Sequence, residues 1–375
     1  MPSSSSSLIR LSPLPFSSLP PHPALDREPS ERPALQTFLH SALTEASSLI
    51  STTIPNTFTK HRKPCSSPPS TAKVHLSKRL IPADQLPEQP QPQPQPQPAG
   101  AGAGAGAKQK DEFWVCRQST HIDDTSEVGT ASWDEFEDGL RGAERHSRNE
   151  KAYTPSVSRV ETVLKWEDVQ DVDVQVDQDG DSRDGDPDGD EGGLLWWSEV
   201  EMCVNVITHT FRPNLLISPR TFIVLIISAL LPPSSPSPPS STTTTSQSRG
   251  FLTVQIPLSH TDPTLSSSLR DKIITSAPKN TVFASYASVE RVLWLPPPQS
   301  QKPPDQNTET EDREKGKSRD LSARGRVEWT MATTSDAGGA VPEWVQRSWT
   351  MGGVPRAVVT DVGLFLGWVA QRRKR

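Results

Sequence analysis

The C-terminal stretch that decides the fold, residues 325–371, reads GRVEWTMATTSDAGGAVPEWVQRSWTMGGVPRAVVTDVGLFLGWVAQ. In its first part, Val327, Trp329 and Met331 alternate with polar residues, which predicts a β-strand because successive side chains of a strand point to opposite faces. After Gly352-Gly353 the apolar residues recur at helical spacing, at Val354, Val358, Val362, Phe365 and Val369. A strand followed by a long apolar-faced helix predicts that this helix covers a sheet.

Seven further segments upstream have the alternation or the β-branched and aromatic content of strands. They are residues 72–81, 112–122, 156–166, 196–211, 220–230, 250–258 and 281–295. Residues 33–50 have helical spacing, and a capping box from Ser132 to Glu135 predicts a short helix through Arg141. We therefore expect an α+β fold with a curved antiparallel sheet of about eight strands, wrapped on the long C-terminal helix.

A tail and four insertions interrupt this pattern. They are residues 1–32, 82–111, 167–193, 231–249 and 296–324, and they hold 25 of the 38 prolines but none of the ten tryptophans. Nine of the ten phenylalanines also lie outside them, with Phe16 as the exception. Segments with so few large aromatic side chains bury too little apolar area to form a core. We predict a disordered Ser/Pro-rich tail at 1–32, one domain at 33–371 with four disordered insertions, and a basic tail at 372–375.

The charge of the chain is unevenly distributed. The formal net charge is −6, whereas segment 167–193 alone has twelve acidic residues and only Arg183 as a base, so the rest is mildly basic. Asp184-x-Asp186-x-Asp188-Gly189 matches the first half of a calcium loop, but Leu195 stands where a glutamate ligand is required. We expect a solvated loop, and neither a metal nor a cofactor.

Targeting and redox signals are weak. The three cysteines form no CxxC motif, the N-terminus lacks the apolar core of a signal peptide, and the longest apolar run is too short for a bilayer. These observations predict a cytoplasmic protein.

Several stretches resemble START domains, the StAR-related lipid-transfer fold. Ile217-Ser218-Pro219-Arg220-Thr221-Phe222-Ile223-Val224 is similar to a strand start of that family, and Tyr286-Ala287-Ser288-Val289-Glu290 to a later strand. The run from Ser335 to Val345, SDAGGAVPEWV, resembles its strand-to-helix junction. Together with Pro15–Pro23, these motifs are most similar to an uncharacterised fungal START-like family.

The resemblance implies a helix-grip fold that encloses an apolar tunnel and binds a lipid or other hydrophobic small molecule without catalysis. No nucleic-acid partner is expected. Arg220 begins the most apolar strand and is the candidate for an inward charge. The other candidate ligand-binding residues are Trp114, Trp166, Met202, Phe283, Trp329, Met331, Val358, Val362 and Phe365.

Two other classes of function remain open. The first is an enzyme on the same scaffold, cyclase-like or hydrolase-like, for which polar groups such as His209 and Glu328 would have to converge, with His121 as a further candidate. The second is an interaction scaffold that uses the Pro-rich and acidic insertions. No catalytic signature accompanies the histidines, so we rank ligand binding first.

Two features of the C-terminal helix are open to two interpretations each. Gly363 and Gly367 either permit close packing of the backbone or leave room for a ligand. The basic residues Arg372 to Arg375 either complement the helix dipole or make transient contact with an anionic membrane.

Overall fold

The structure is a computed structural model that describes most of the chain outside the insertions. The described residues are 7–25, 32–86, 110–167, 169–173, 196–211, 217–232, 249–297, 324–350 and 352–375. The larger part of each predicted insertion lies outside the described residues, as does the motif from Asp184 to Gly189.

Eleven strands and seven α-helices are described in this part of the chain. The strands are β1 Thr59–Lys60, β2 Cys65–Ser66, β3 Lys73–Ile81, β4 Glu112–Ile122, β5 Val157–Trp166, β6 Val172–Asp173, β7 Trp196–His209, β8 Arg220–Leu230, β9 Arg249–Pro257, β10 Val282–Leu295 and β11 Arg326–Asp336. The helices are α1 Leu35–Ser48, α2 Ile54–Thr57, α3 Trp133–Leu140, α4 Ala143–Tyr153, α5 Ser267–Ser276, α6 Glu343–Gln346 and α7 Val354–Arg372.

The strands form one sheet whose order is β1-β3-β4-β11-β10-β9-β8-β7-β5, with β2 beside β3 and β6 beside β7. All pairs are antiparallel except a short parallel contact between β10 and β8, where Val282 lies opposite Arg220. Eight of the strands are nine residues or longer, as the alternation patterns predict. This sheet, packed against a long C-terminal helix, confirms the α+β helix-grip fold class.

The two faces of the sheet have different chemistry. The outer face, which packs against α1 and α5, is apolar over most of its width; Val204, Leu225 and Val254 are fully buried there. The inner face, which packs against α3, α4 and α7, mixes apolar residues with buried polar ones. Asn205, Ser228, Thr253, Gln255 and Ser288 are each at most 5% exposed. A buried polar group requires a hydrogen-bond partner, so the inner face carries the polar side chains from which a functional site can be built.

The N-terminal segment differs from the disordered tail expected at residues 1–32. Residues 7–25 lie against the outer face, where Phe16 and Leu19 are at most 1% exposed. The Glu45 carboxylate accepts hydrogen bonds from the backbone N–H groups of Leu8 and Ile9, at 2.8 and 3.0 Å. Composition concealed this packing because the few apolar side chains are spaced between many serines and prolines.

A loop at Ser67 and Pro68 holds α7 from outside. The Ser67 hydroxyl donates to the Val359 carbonyl at 2.5 Å and accepts from the Gly363 N–H at 2.8 Å. A Cβ at Gly363 would lie 2.3 Å from the Pro68 carbonyl oxygen. Gly363 therefore permits close packing. At Gly367 the added Cβ would meet Pro69 only at 3.6 Å, an ordinary contact.

Candidate functional site

Helix α4 crosses the inner face and begins at a set of polar anchors. The N–H groups of Gly142 and Ala143 donate to Ser228 Oγ and Glu201 Oε2, both at 3.0 Å. Asn205 Nδ2 donates to Ser147 Oγ at 2.9 Å. These bonds fix the rotation of α4, so that residues spaced four and three apart along it share one face.

Glu290, on β10, is the centre of a buried polar network. Its Oε1 accepts from Arg117 Nη2 at 3.1 Å and from Trp329 Nε1 at 2.7 Å. Its Oε2 contacts His146 Nε2, on α4, at 3.1 Å. Arg117 lies on β4 and Trp329 on β11. The register places Arg117, Met331 and Glu290 in one row across β4, β11 and β10, and Trp329 is two residues from Met331 on β11.

The charges of this network stabilise one another. Burial raises the pKa of Glu290, but the hydrogen bond and charge of His146, the Arg117 guanidinium and the Trp329 N–H together hold that pKa below its usual value. Burial lowers the pKa of His146, yet the Glu290 carboxylate outweighs it, so that pKa is raised. Arg117 also stacks on Trp329, with its guanidinium carbon 3.8 Å from the ring centroid.

Four more polar side chains from three elements lie around this network. Glu150 and Tyr153 follow His146 along α4, Tyr286 precedes Glu290 on β10, and Asp361 lies on α7. Their side-chain oxygens make no hydrogen bond to the residues that the structure describes, but they keep accessible surface. All eight residues, which we call the inner polar cluster, are Arg117, His146, Glu150, Tyr153, Tyr286, Glu290, Trp329 and Asp361.

Desolvation perturbs the acids of the inner polar cluster. Burial, together with the charges of Glu150 and Glu290, raises the pKa of Asp361 to about 7 despite an opposing effect of Arg117. Burial also raises the pKa of Glu150. It raises the pKa values of the Tyr153 and Tyr286 phenols well above the usual value, with a further contribution from the Glu150 charge.

The same four residues keep accessible surface. Glu150, Tyr153, Tyr286 and Asp361 are half-buried, although their pKa values are those of strongly desolvated groups. This combination is expected of groups that are packed among protein atoms and keep some contact with solvent. Their polar character differs from the wholly apolar tunnel that the resemblance implies.

Six of the predicted ligand-binding residues lie on the inner side of the sheet or on α7. Trp329, Val358, Val362 and Phe365 share one apolar cluster, in which Trp329 and Phe365 have ring centroids 5.3 Å apart. Met331 is half-buried and lies opposite both Arg117 and Glu290 in the sheet register. The rings of Phe365 and Phe136 pack with their centroids 5.2 Å apart and fill the space beside Phe365 on α7.

Arg220 is inward, as predicted, but its guanidinium is occupied. It is 6% exposed, and it donates to the carbonyls of Ala337 and Ser218. It therefore ties the start of β8 to the turn after β11.

The remaining four predicted residues belong to the outer face. Trp114, Trp166 and Met202 lie in the apolar cluster with α1 and the N-terminal segment, and Trp166 Nε1 donates to the Pro21 carbonyl at 2.9 Å. Phe283 packs at the edge of that cluster and stacks on His260 at 4.0 Å. The structure does not bring these four to the inner space, because their positions along each strand have the opposite parity.

The histidines and carboxylate considered for catalysis are separate. His209 ends β7 beside Ser156, and Glu328 pairs with Arg291 at 3.4 Å on the outer face. His121 contacts Ser119 at 2.8 Å, and burial lowers its pKa to about 3. Within the described ranges, no group of three histidine, cysteine or acidic side chains is placed to hold a metal.

Most members of the inner polar cluster were absent from the candidates drawn from sequence. The signal was the spacing of these residues. Ser288, Glu290 and Val292 occupy every second position of β10 and therefore share the inner face. Asp361 comes three residues after Val358 and four before Phe365 on α7. His146, Glu150 and Tyr153 show the same helical spacing in a segment too polar to be predicted as a packed helix.

The two arginines that open the basic tail are engaged on α3. Arg372 donates to Asp138 at 2.7 Å, and Arg373 donates to Glu135 from Nε at 2.6 Å and to the Thr130 carbonyl at 3.0 Å. These contacts tie the end of α7 to α3, a role that neither interpretation of the tail included. No helix in the part of the chain that the structure describes has the length and hydropathy needed to cross a membrane.

Comparisons with solved structures found low similarity in sequence. The crystal structure of human STARD10 is 10% identical, with a TM-score of 0.36, over 85% of this chain and 76% of that chain. Human StAR-related lipid transfer protein 5 is 10% identical, with a TM-score of 0.37, over 89% of this chain and 98% of that chain. None of the curated proteins matches.

A family model covers the region that contains the inner polar cluster. It matches residues 114–369, from β4 to the last turns of α7, and its description is a protein of unknown function, DUF3074. The match includes all eight cluster residues and more than half of the chain, and the chain therefore belongs to the DUF3074 family.

Proposed function

We propose that this protein binds an amphipathic small molecule, such as a lipid, in the space between the inner face of the sheet and α7. The observation that carries the proposal is the set of four half-buried polar side chains without partners, Glu150, Tyr153, Tyr286 and Asp361, next to an apolar wall. Val358 and Val362 on α7 and Met331 on β11 supply that wall.

The energetics favour an occupied site. In the inner polar cluster, Arg117 Nε and Nη1 and His146 Nδ1 are buried and have no partner among the described residues. An unsatisfied buried polar group costs about 1–3 kcal/mol, so water or a ligand that completes these hydrogen bonds stabilises the protein. A molecule with one polar end and an apolar body fits both kinds of lining. The START-like motifs of the sequence support the same class of ligand.

Several finer expectations remain predictions under this proposal. They are a fungal origin, a cytoplasmic location, one continuous domain over 33–371, and contact of Lys374 and Arg375 with an anionic membrane.

The direct test is to ask what the purified full-length protein carries. We expect organic extraction and mass spectrometry to recover an amphipathic molecule from the wild type, and native mass spectrometry to show it bound. Met331→Trp would fill the inner space and should purify without it. Glu328→Gln, three residues away on the outer face, is the matched control and should retain it. A wild type that is empty and binds no member of a broad lipid panel would overturn the proposal.

A second candidate, acid–base catalysis at the same site, is favoured by one observation. The pKa of Asp361, about 7, leaves this carboxyl half protonated near neutral pH, and a general acid or base functions best in that state. The recovered molecule discriminates between the two candidates. A ligand that keeps its mass after long incubation indicates binding alone, whereas a change of mass that Asp361→Asn abolishes indicates an enzyme.

A further inference from the structure

A cavity on the outer face of the sheet lies apart from the inner polar cluster. It has a volume of about 430 Å³ and is lined by residues 50–58 and by the strands β1, β3, β4, β10 and β11. A cavity of this size accommodates a small organic molecule. None of the eight residues of the inner polar cluster lines it, so its chemistry has to be argued separately.

The floor of this cavity is a row of four polar side chains. The register pairs Arg291 on β10 with Thr330 on β11. It continues from Thr330 to Gln118 on β4, and from Gln118 to His75 on β3. Residues directly opposite each other in antiparallel strands project from the same face, and all four line the cavity. Gln118 and His75 are exposed, whereas Arg291 is half-buried and Thr330 is buried, so the row leads from solvent into the fold.

The buried end of the row has polar atoms without partners. Thr330 is 4% exposed, and its hydroxyl forms no hydrogen bond to the described residues. Arg291 Nε is buried and has no partner among them either, while Arg291 Nη2 contacts Glu328 at 3.4 Å. Such groups are costly unless water or a ligand completes their hydrogen bonds. A guanidinium N–H is a donor and a hydroxyl can donate, so the completing group has to be an acceptor.

The charge at the cavity is positive. Among the described residues that line it are Lys60 and Arg291, and none of them is acidic. Burial lowers the pKa of Arg291, and the charge and hydrogen bond of Glu328 oppose this only in part. Cys116, which also lines the cavity, adds no negative charge at neutral pH, since burial raises the pKa of its thiol to about 11. The counter-charge of Arg291 is therefore incomplete.

We propose that this cavity binds a small organic anion, whose carboxylate or phosphate accepts hydrogen bonds from Arg291 and Thr330. Arginine binds both oxyanions through charge-assisted hydrogen bonds, and Lys60 adds a second positive charge at the exposed side. The apolar part of the anion contacts the buried side chains of Ile50 and Phe58, which line the same cavity. This site is separate from the ligand site of the proposed function and does not depend on it.

The test compares four probes that differ in charge and apolar content. They are phenyl phosphate, benzoate, the neutral benzamide and inorganic phosphate, and their binding to the full-length protein is measured at pH 7 by calorimetry. We expect the tighter-binding of the two organic anions to bind about tenfold or more tighter than benzamide, as for one charge-assisted hydrogen bond gained. It should also bind tighter than inorganic phosphate, which has no apolar part.

Two threonines of β11 form a matched pair of variants. Thr330 and Thr334 are 4% and 0% exposed, and neither hydroxyl has a partner among the described residues, but only Thr330 lines the cavity. Thr330→Val and Thr334→Val each replace an unsatisfied hydroxyl by a methyl group, so both proteins should be at least as stable as the wild type. Thr330→Val should weaken binding of the anion about fivefold or more, and Thr334→Val should leave it unchanged.

Arg291 and its partner should have opposite effects. Arg291→Gln should weaken binding about tenfold or more, whereas Glu328→Gln removes the competing carboxylate and should strengthen it. A purely structural role of this ion pair would not give opposite signs. Lys60→Gln changes an exposed side chain, so it tests the charge even if Arg291→Gln fails to fold, and it should also weaken binding. Arg326→Gln, on β11 but outside the cavity lining, is the control for net charge.

The outcomes that overturn the inference are specific. Benzamide that binds as tightly as the organic anions excludes an anion site, and inorganic phosphate that binds as tightly excludes an organic ligand. An affinity that survives both Thr330→Val and Lys60→Gln places the probe elsewhere. Failure of both organic anions to bind also overturns the inference. None of these results bears on the proposed function, which is tested by extraction and by Met331→Trp.

Discussion

Replacement of Glu290 by glutamine tests the centre of the inner polar cluster. The Glu290 carboxylate accepts from Arg117 and Trp329 and contacts His146, at 3.1, 2.7 and 3.1 Å. Glutamine has nearly the same shape but no charge. Its amide nitrogen is a hydrogen-bond donor, and it would lie opposite an N–H group of Arg117, Trp329 or His146. Glu290→Gln therefore removes the counter-charge of Arg117 without leaving a cavity.

The size of the effect follows from burial. The Arg117 side chain is 1% exposed, so solvent cannot replace the lost partner. Breaking a buried ion pair from one side typically costs about 3–5 kcal/mol, and we expect a loss of that size in the free energy of unfolding. The outer-face pair of Arg291 and Glu328 has a longer contact, 3.4 Å, and side chains that are 21% and 23% exposed. Glu328→Gln should cost no more than about 1 kcal/mol.

A double-variant cycle separates the interaction energy of the ion pair from the other effects that each substitution has on stability. Replacing both members, as in Arg117→Met/Glu290→Leu, removes the uncompensated charge and should cost less than the sum of the two single variants. Urea unfolding followed by tryptophan fluorescence and circular dichroism gives the free energies, and coincident transitions justify a two-state treatment.

The dependence on pH provides an independent check. The folded-state pKa of Glu290 lies below its ordinary value of 4.5, so its contribution to stability is present above pH 4.5 and is lost as pH falls through the lowered pKa. The difference between wild type and Glu290→Gln should shrink in that direction. A Glu290→Gln protein that is no less stable at pH 7 than Glu328→Gln would refute the reasoning.

Three further predictions concern stability. Asp361→Asn should raise the free energy of unfolding at pH 7, because the pKa of Asp361 is raised from 3.8 to about 7; the gain should be absent near pH 3.8 and grow towards pH 7 in urea titrations, and a gain independent of pH would contradict it. Gly363→Ala should lower the thermal midpoint, since its Cβ meets the Pro68 carbonyl oxygen at 2.3 Å, whereas Gly367→Ala should add about 0.5–1 kcal/mol; equal effects in thermal scans would argue against the close approach. Phe16→Ala should cost about 3–5 kcal/mol in urea unfolding, and a loss below about 1 kcal/mol would show that the N-terminal segment does not pack as described.

The eight long strands could be predicted from the sequence because alternation and β-branched content are local signals, whereas the two-residue strands β1, β2 and β6 were not predicted. The segments predicted at 112–122 and 220–230 coincide with β4 and β8, and the Ser132 capping box opens α3 as expected. Alternation alone does not predict which face of each strand packs against α7. Trp114 and Arg117 are three residues apart on one strand, yet they lie on opposite faces, and only the register with β11 shows which face meets the helix.

The site was missed because α4 carries its information in polar residues. AERHSRNEKAY has too few apolar side chains for a helix that is recognised by hydrophobic periodicity. Its buried positions are Ala143, His146 and Ser147. They form hydrogen bonds to Glu201, Glu290 and Asn205, and such bonds leave no hydrophobic periodicity in the sequence. Conversely, the N-terminal segment was assigned to disorder because proline and serine dominate its composition, although a few apolar residues such as Phe16 are enough to dock it.

The two faces of the sheet therefore differ in the electrostatic cost of the side chains that they bury. On the outer face, Trp114 and Met202 are buried among apolar neighbours and stabilise the fold at no electrostatic cost. On the inner face, Asp361 does the opposite: a carboxyl whose pKa is raised to about 7 destabilises the empty protein at neutral pH relative to an amide. Under the proposed function, a ligand group that forms a hydrogen bond with the Asp361 carboxyl would offset this cost on binding.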